Sequence, residues 1–209
     1  MRIVEPSAKI ISTVSYEDVL KLIESAGRTC YQSGETANAG SAQEFIKKIL
    51  DRKHESVIEH VHITARVICD RGVTHEIVRH RLASYSQEST RYCNYSKDKF
   101  GNEITVIKPC FWKETDPQYV TWANAMRSAE LAYFDLLNAG ATPQEARSVL
   151  PNSLKTEIVM TMNFREWRHF FKLRCSPAAH PQMREVANML LNEFDEKYPL
   201  FFEDLHIEM

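Results

Sequence analysis

The pattern of this chain predicts an α+β fold in which helices outnumber strands. Two stretches carry a period of two. Val61, Ile63, Ala65, Val67 and Cys69 alternate with His62, Thr64, Arg66, Ile68 and Asp70. Leu154, Thr156, Ile158, Met160 and Met162 alternate with Lys155, Glu157, Val159 and Thr161. Such alternation sends successive side chains to opposite faces of a strand. The third observation is a set of segments with apolar residues at helical spacing and capping residues at their ends, more numerous than the strands.

Taken in order, Ser15 followed by Asp18 opens a helix through Val19, Leu20, Leu22 and Ile23, with Gly27 as its expected end. Ser41 and Glu44 make a capping-box pattern ahead of Phe45, Ile46, Ile49 and Leu50. After the first strand, Thr74 is placed to cap a short helix carrying Arg79, His80 and Arg81, whose side chains the helical repeat would set about 100° apart. A short strand covers Ile104 to Ile107 and is stopped by Pro109. A long helix runs from Pro117 to Asn138, with Gly140 beyond it. Thr142-Pro143-Gln144-Glu145 puts a cap, a first-turn proline and the box acid in sequence. After the second alternating strand, Asn163 and Glu166 begin a helix reaching Leu173 or Arg174. Pro181 starts the last long helix through Met183, Val186, Leu190 and Phe194.

With 209 residues, of which 44% are hydrophobic and 26% charged, the chain is expected to form one domain, 1–209, with a sizeable core. The formal net charge of −2 argues against a general nucleic-acid binder. No apolar run approaches the roughly 20 residues needed to span a bilayer, and the first residues lack a signal-peptide core, so a cytoplasmic protein is expected. Five cysteines, odd in number and without a CxxC, suggest reduced thiols rather than a zinc site or disulfide framework. Cys30 and Cys175 are conceivable nucleophiles, but neither has a motif around it. Six scattered glycines form neither GxGxxG nor a P-loop, so any nucleotide must be held by arginines and helix N-termini.

Residues 79 to 92 concentrate the chemistry. Within Arg79-His80-Arg81-Leu82-Ala83-Ser84-Tyr85-Ser86-Gln87-Glu88-Ser89-Thr90-Arg91-Tyr92 there are three arginines, one acid and no lysine. Guanidinium groups bind phosphate through parallel N–H donors, and serine and glutamine add neutral donors. The stretch reads as the wall of a pocket for a phosphorylated ligand rather than as a surface ion-pair network, which would need acids.

Arg79-His80-Arg81, seven residues, then Ser89 resembles the RHRx7S signature of flavin-dependent thymidylate synthases. Further segments resemble that family in the same order: His54-Glu55-Ser56-Val57-Ile58-Glu59-His60, Glu145 to Pro151, Asn163-Phe164-Arg165 with His169 and Leu173-Arg174, and Ala179-His180-Pro181-Gln182. The resemblance covers most of the chain. It implies a central, mainly antiparallel sheet flanked by helices, the thymidylate synthase-complementing-protein-like fold, assembled as a homotetramer with shared active sites. It also implies reductive methylation of dUMP to dTMP, with 5,10-methylenetetrahydrofolate as carbon donor and NADPH-reduced FAD as hydride source.

Carried over residue by residue, the resemblance assigns dUMP binding to Glu76, Ile77, Val78, Arg79, Gln87, Glu88, Ser89, Thr90, Arg91, Arg147 and Arg174. Arg91, Ser89 and backbone amides of residues 87–90 hold the phosphate, with Arg147 completing the clamp. Arg174 is the catalytic residue, placed at the uracil edge where a fixed cation favours developing negative charge; by spacing alone it would be a helix-end arginine. FAD contacts fall to His54, Ser56, Arg79, His80, Arg81, Gln87, Asn163, Phe164, Arg165 and His169. Some members carry an acid where Gln87 stands and glutamine where Glu76 stands.

Two other readings are open to the residues. Arg79, Arg81 and Arg91 with Tyr85, Tyr92 and Tyr95 have the makings of a single-stranded nucleic-acid module, against which stand the net charge and the lack of any RRM or KH signature. His54, Glu59, His60 and His62 lack the spacing of a metal shell, and no metal is expected.

Overall fold

The computed structural model describes residues 1–12, 14–34 and 40–206. Six strands and eight α-helices are seen among them: β1 (Arg2–Val4), β2 (Ser7–Ile10), α1 (Tyr16–Tyr31), α2 (Ser41–Asp51), β3 (His62–Asp70), α3 (Arg71–Ile77), β4 (Ala83–Gln87), β5 (Thr105–Ile107), α4 (Pro117–Asn138), α5 (Pro143–Ala146), β6 (Lys155–Asn163), α6 (Phe164–Arg174), α7 (Pro181–Lys197) and α8 (Pro199–Phe202). The main sheet has the order β2-β3-β6-β4, and β1 pairs with β5 in a separate parallel ribbon.

The central pair of the main sheet is antiparallel. Phe164 N–H donates to Val61 O, the hydroxyls of Thr64 and Thr161 meet at 2.9 Å, and Arg71 N–H donates to Leu154 O. Residue numbers on one strand rise by as much as those on the other fall, the mark of an antiparallel register. On β3 the alternation predicted from the sequence holds: Ile63, Ala65, Val67 and Cys69 are buried, whereas His62 and Arg66 are exposed. On β6, Thr156, Ile158, Met160 and Met162 are all buried.

The chain divides into two compact units, and β3 and β6 each pass from one into the other. Unit 1 comprises residues 1–7, 67–79 and 86–158; unit 2 comprises 8–66, 80–85 and 159–209. In unit 1 the core gathers Tyr95, Ile104, Val106, Met126, Tyr133, Ala146 and Leu154. In unit 2, Phe164, Trp167, Phe170, Phe171, Phe194, Tyr198, Phe201 and Phe202 build an aromatic core with ring centroids mostly about 5 Å apart, such as 4.7 Å for Trp167–Phe194 and 4.9 Å for Phe194–Phe202. Edge-to-face packing of this kind adds to burial worth about 1.5–3 kcal/mol per ring.

Several expected boundaries shift, each for a local reason. α1 continues past Gly27 to Tyr31 and ends in Gln32, whose φ of 49° takes the left-handed conformation. Gly27 serves packing instead: a Cβ there would lie 2.6 Å from the Phe45 ring and 2.9 Å from Ile49 Cδ1 on α2. Ser41 is not the cap of α2. Gly40, with φ 95°, occupies that place, and the Ser41 hydroxyl turns to Glu24 at 2.5 Å. Asp70, not Thr74, caps α3 by accepting from Val73 N–H at 2.7 Å, so the helix starts earlier and ends at Ile77. Arg79, His80 and Arg81 therefore lie beyond it in non-helical chain, and helical spacing does not govern where they point. Strands β1, β2 and β4 had no alternating apolar signal strong enough to announce them. α4 and the Thr142–Glu145 capping box match the expected residues.

Candidate functional site

In unit 1, β4 ends at Gln87 and the chain turns through residues 88–93. Ser89 O accepts from Tyr92 N–H and Cys93 N–H, which makes the turn tight. Thr90 is buried at 5% exposure, while Arg91 points outward with its guanidinium 5.6 Å from the Tyr92 ring. Arg147 reaches the same turn from the segment after α5, donating from Nη1 to Thr90 Oγ1 at 3.4 Å. Among the described residues the amides of Ser89 and Thr90 donate to no backbone carbonyl outside the regular elements. Two exposed guanidiniums and two such amides on one turn form a donor set suited to a phosphate.

Neighbouring residues brace this turn rather than face a ligand. Gln87 Nε2 donates to Thr74 Oγ1 at 3.0 Å and Thr156 Oγ1 at 3.3 Å. The Glu88 carboxylate is taken by Lys155 at 2.8 Å and Tyr95 at 3.1 Å, and its amide donates to Glu157 O. Glu88 thus lines a cavity of about 430 Å³ together with Arg2, Lys99 and Lys155. Ile77 is fully buried, so only its backbone can meet a ligand; Glu76 is half-buried, and Val78 and Arg79 are exposed. Thr74, Thr156, Lys155 and Tyr95 are supporting residues that the sequence did not announce. Their partners are more than five residues away, and no local pattern encodes them.

In unit 2, His80 is buried at 4% exposure between two charged groups. Its Nδ1 lies 3.0 Å from Glu166 Oε1, and Arg174 Nε donates to its Nε2 at 3.1 Å. Tyr85 donates from its hydroxyl to the His80 carbonyl at 2.6 Å, and burial pushes that phenol up to about 12. Burial and the neighbouring Arg174 charge hold the His80 ring below its ordinary value, against the opposing pull of Glu166. α6 supplies Glu166, His169 and Arg174, and the Asn163 side chain caps that helix by accepting from Glu166 N–H at 2.8 Å. Glu166 was expected only to begin a helix together with Asn163. A carboxylate among the buried faces of Phe164, Trp167 and Phe170 was the available signal.

His80, Glu166 and His169 bring three ligand-type atoms within 4.8 Å of one another. Both His80 nitrogens are committed, one to Glu166 and one to a guanidinium that would repel a cation. The cluster is better described as a hydrogen-bonded chain than as a metal shell.

The remaining predicted flavin contacts also lie in unit 2, except Gln87 and Arg79. His54, Ser56, Arg81 and His169 are exposed. Arg165 is 53% exposed and donates to Glu59 at 2.6 Å. Phe164 is wholly buried in the aromatic core, which leaves only its backbone for a ligand. Of the tyrosines proposed as stacking faces, Tyr92 is 79% exposed but Tyr95 is 5% exposed and packed against Phe100 and Tyr133. Burial pushes Cys175 to about 12 and raises Cys69 and Cys93, so none of these thiols is an activated nucleophile. No helix among the described residues is long and apolar enough to cross a membrane.

A family model described as thymidylate synthase complementing protein matches residues 12–200. A flavin-dependent thymidylate synthase of Pyrococcus furiosus is 35% identical over 177 residues, covering 84% of this chain and 72% of that protein. One from Geobacter sulfurreducens is 36% identical over 186 residues, covering 86% and 78%. Among solved structures, a UMP/dUMP methylase from Streptomyces cacaoi bound with 5-Br dUMP superposes with a TM-score of 0.78 at 22% identity, covering 97% of this chain and 96% of that one. That likeness bears on the fold.

Proposed function

The chain belongs to the family of flavin-dependent thymidylate synthases, and we propose that it methylates dUMP to dTMP with 5,10-methylenetetrahydrofolate as carbon donor. FAD, when bound and reduced by NADPH, supplies the hydride, and tetrahydrofolate is released. The family match runs through both units, which supports one functional domain over 1–209.

The observation that carries the nucleotide assignment is the turn at residues 88–93. Arg91 and Arg147 neutralise the nucleotide phosphate while the amides of Ser89 and Thr90 donate to its oxygens. Thr90, fixed by burial, keeps Arg147 on the turn. Gln87 and Glu88 hold the turn in place, and Arg79 adds an exposed donor.

Arg174 acts at the base. Its cation, fixed at Nε by His80, stabilises negative charge gathering on the uracil ring and so makes C5 the nucleophile toward the folate carbon. Such charge complementarity needs no reorganisation during the reaction. No cysteine is required, in keeping with the raised thiols.

The flavin's pyrophosphate and ring system need donors without a glycine-rich turn. Arg79, Arg81, His54, Ser56 and His169 are exposed donors of the right type, and Arg165 joins them by leaving Glu59. His80 and Gln87, whose side chains are committed to neighbours, belong to the set as supports, and Asn163 and Phe164 join it through the N-terminus of α6. Its first-turn amides attract an anion.

The reading includes a cytoplasmic homotetramer. A chain of 209 residues offers little concave surface for FAD, dUMP, NADPH and folate at once, and sharing sites between subunits supplies it. Light scattering coupled to size exclusion measures that assembly. The decisive experiment is the visible spectrum of the purified protein and its bleaching by NADPH with and without dUMP. Flavin bands that bleach, followed by thymidylate when methylenetetrahydrofolate is added, are the expected result. A colourless protein that neither binds added FAD nor forms thymidylate would overturn the assignment.

A further inference from the structure

The Nε–H of Arg174 can only donate, because a guanidinium has no acceptor. Its partner, His80 Nε2, must therefore present a lone pair, and the ring proton must sit on Nδ1. Nδ1 in turn faces Glu166 Oε1 at 3.0 Å, and a carboxylate there accepts that proton's hydrogen bond. The direction of the whole chain is thus fixed: Arg174 donates to His80, and His80 donates to Glu166. His80 and Glu166 are 4% and 8% exposed, so water cannot readily substitute for either partner.

The placement of Glu166 is informative in itself. It stands at the third position of α6, where an acid ordinarily reaches back to the amide of the cap residue. Here its amide is bound by Asn163, while its carboxylate is directed to His80. The imidazole is steadied from other sides as well, by Phe170 and His169 at ring distances of 5.0 and 5.6 Å and through its backbone carbonyl by Tyr85.

We propose that Glu166 is a positioning residue for thymidylate formation: it locks His80 in the Nδ1–H tautomer, and His80 thereby sets the plane of the Arg174 guanidinium that meets the uracil. The inference rests on the reading of Arg174 given under Proposed function. With the other tautomer, Nε2–H and Nε–H would point at each other, two donors without an acceptor in a buried place. Arg174 would then swing away, and a displacement of about 1 Å in a group that stabilises charge costs about 10²-fold in rate.

The test uses the FAD-loaded enzyme labelled with 15N-histidine. Long-range proton–nitrogen spectra report the tautomer of His80, assigned with a His80→Asn variant. Steady-state kinetics of Glu166→Gln and Glu166→Leu accompany them, with FAD content and dUMP affinity measured in each. The wild type is expected to show a single Nδ1–H tautomer. Glu166→Gln, whose amide oxygen can still accept from Nδ1–H, should keep that tautomer and a kcat within about tenfold of wild type. Glu166→Leu should lose the fixed tautomer and about 10²-fold in kcat, with a smaller change in KM for dUMP.

A wild-type His80 found as the Nε2–H tautomer or doubly protonated at neutral pH would overturn the proposal without any variant. So would equal kcat losses in the two variants, or a Glu166→Leu enzyme with wild-type kcat. If Glu166→Leu does not fold, the wild-type spectrum and the near-isosteric Glu166→Gln enzyme still decide. A wild type that binds FAD yet forms no thymidylate overturns the functional reading and this proposal together, whereas the wrong tautomer in an active enzyme overturns the proposal alone.

Discussion

Arg147 donates from Nη1 to the buried hydroxyl of Thr90 at 3.4 Å, tying the segment after α5 to the turn after β4. The two residues are far apart in sequence, yet together they form one side of the phosphate clamp we propose, with Arg91, on the same turn, as the other. Arg91→Ala and Arg147→Ala should each weaken dUMP binding by about 10–100-fold, the equivalent of a hydrogen bond to a charged group. Isothermal titration with dUMP measures this, and an unchanged affinity would remove the residue from the clamp. FAD content should hardly change in Arg147→Ala.

Arg174 should behave differently. Arg174→Ala is expected to retain FAD and still bleach with NADPH, while thymidylate formation falls by about 10²–10³-fold, the usual cost of removing one fixed donor at developing charge. Single-turnover product analysis would show it. Full turnover in that variant would sink the assigned role.

The His80 ring gives the enzyme a pH limit on the acid side. Its folded-state value lies below the ordinary 6.5, because burial and Arg174 disfavour the charged ring more than Glu166 favours it. A depressed value means that its contribution to stability is present above 6.5 and is lost as the pH falls through the folded value. Protonation also places a proton on Nε2, facing Arg174. Thermal stability should therefore begin to fall below about pH 6.5, and kcat should fall at the lower pH where the folded ring takes up its proton. A His80→Asn variant should flatten the stability profile in that window.

Gly27→Ala tests the contact between α1 and α2. The new methyl would sit 2.6 Å from the Phe45 ring edge, so ring or helix must shift. The cost is expected at about 1–3 kcal/mol, outweighing the better helix propensity of alanine. Chemical denaturation measures it. A second substitution, Phe45→Leu, should restore part of the loss.

Asp204 grips Arg168 with both oxygens, at 2.7 and 2.6 Å. Burial opposes ionisation of this carboxyl, but the Arg168 hydrogen bonds and charge outweigh it and hold it below its ordinary value. Stability from the pair is thus lost as pH falls through that lowered value. The Asp204 side chain is 57% exposed and solvent screens the pair, so Asp204→Asn should cost about 1 kcal/mol or less near neutral pH and still less in acid, as denaturation at two pH values would reveal.

Much of the fold was legible because its signals are local. The alternation along residues 61–70 and 154–162, and the Thr142–Glu145 box, are each complete within a few residues. Where the sequence misled, a distant partner decided. Gly27 reads as a helix end until Phe45 is found above it, and Ser41 reads as a cap until its hydroxyl is found on Glu24. Asp70 outcompeted Thr74 because its carboxylate, at the end of a strand, reaches the Val73 amide. The site was legible as a set of residue types but not as a wiring. Nothing local says that Gln87 turns to Thr74 and Thr156, that Phe164 is core, or that Glu166 belongs to His80.

β3 ends in Asp70, the cap of α3, and β6 ends in Asn163, the cap of α6. At both joints one residue is the last of a strand and the anchor of a helix, with no connecting loop between them. Such joints have no slack. A single inserted residue would detach the cap from its helix and rotate everything beyond it, whereas loops such as 96–103 can lengthen without that penalty. Natural variation in chain length should therefore gather in the loops and leave the two joints untouched. Anyone grafting a tag or a sensor into this scaffold would do well to respect the same division.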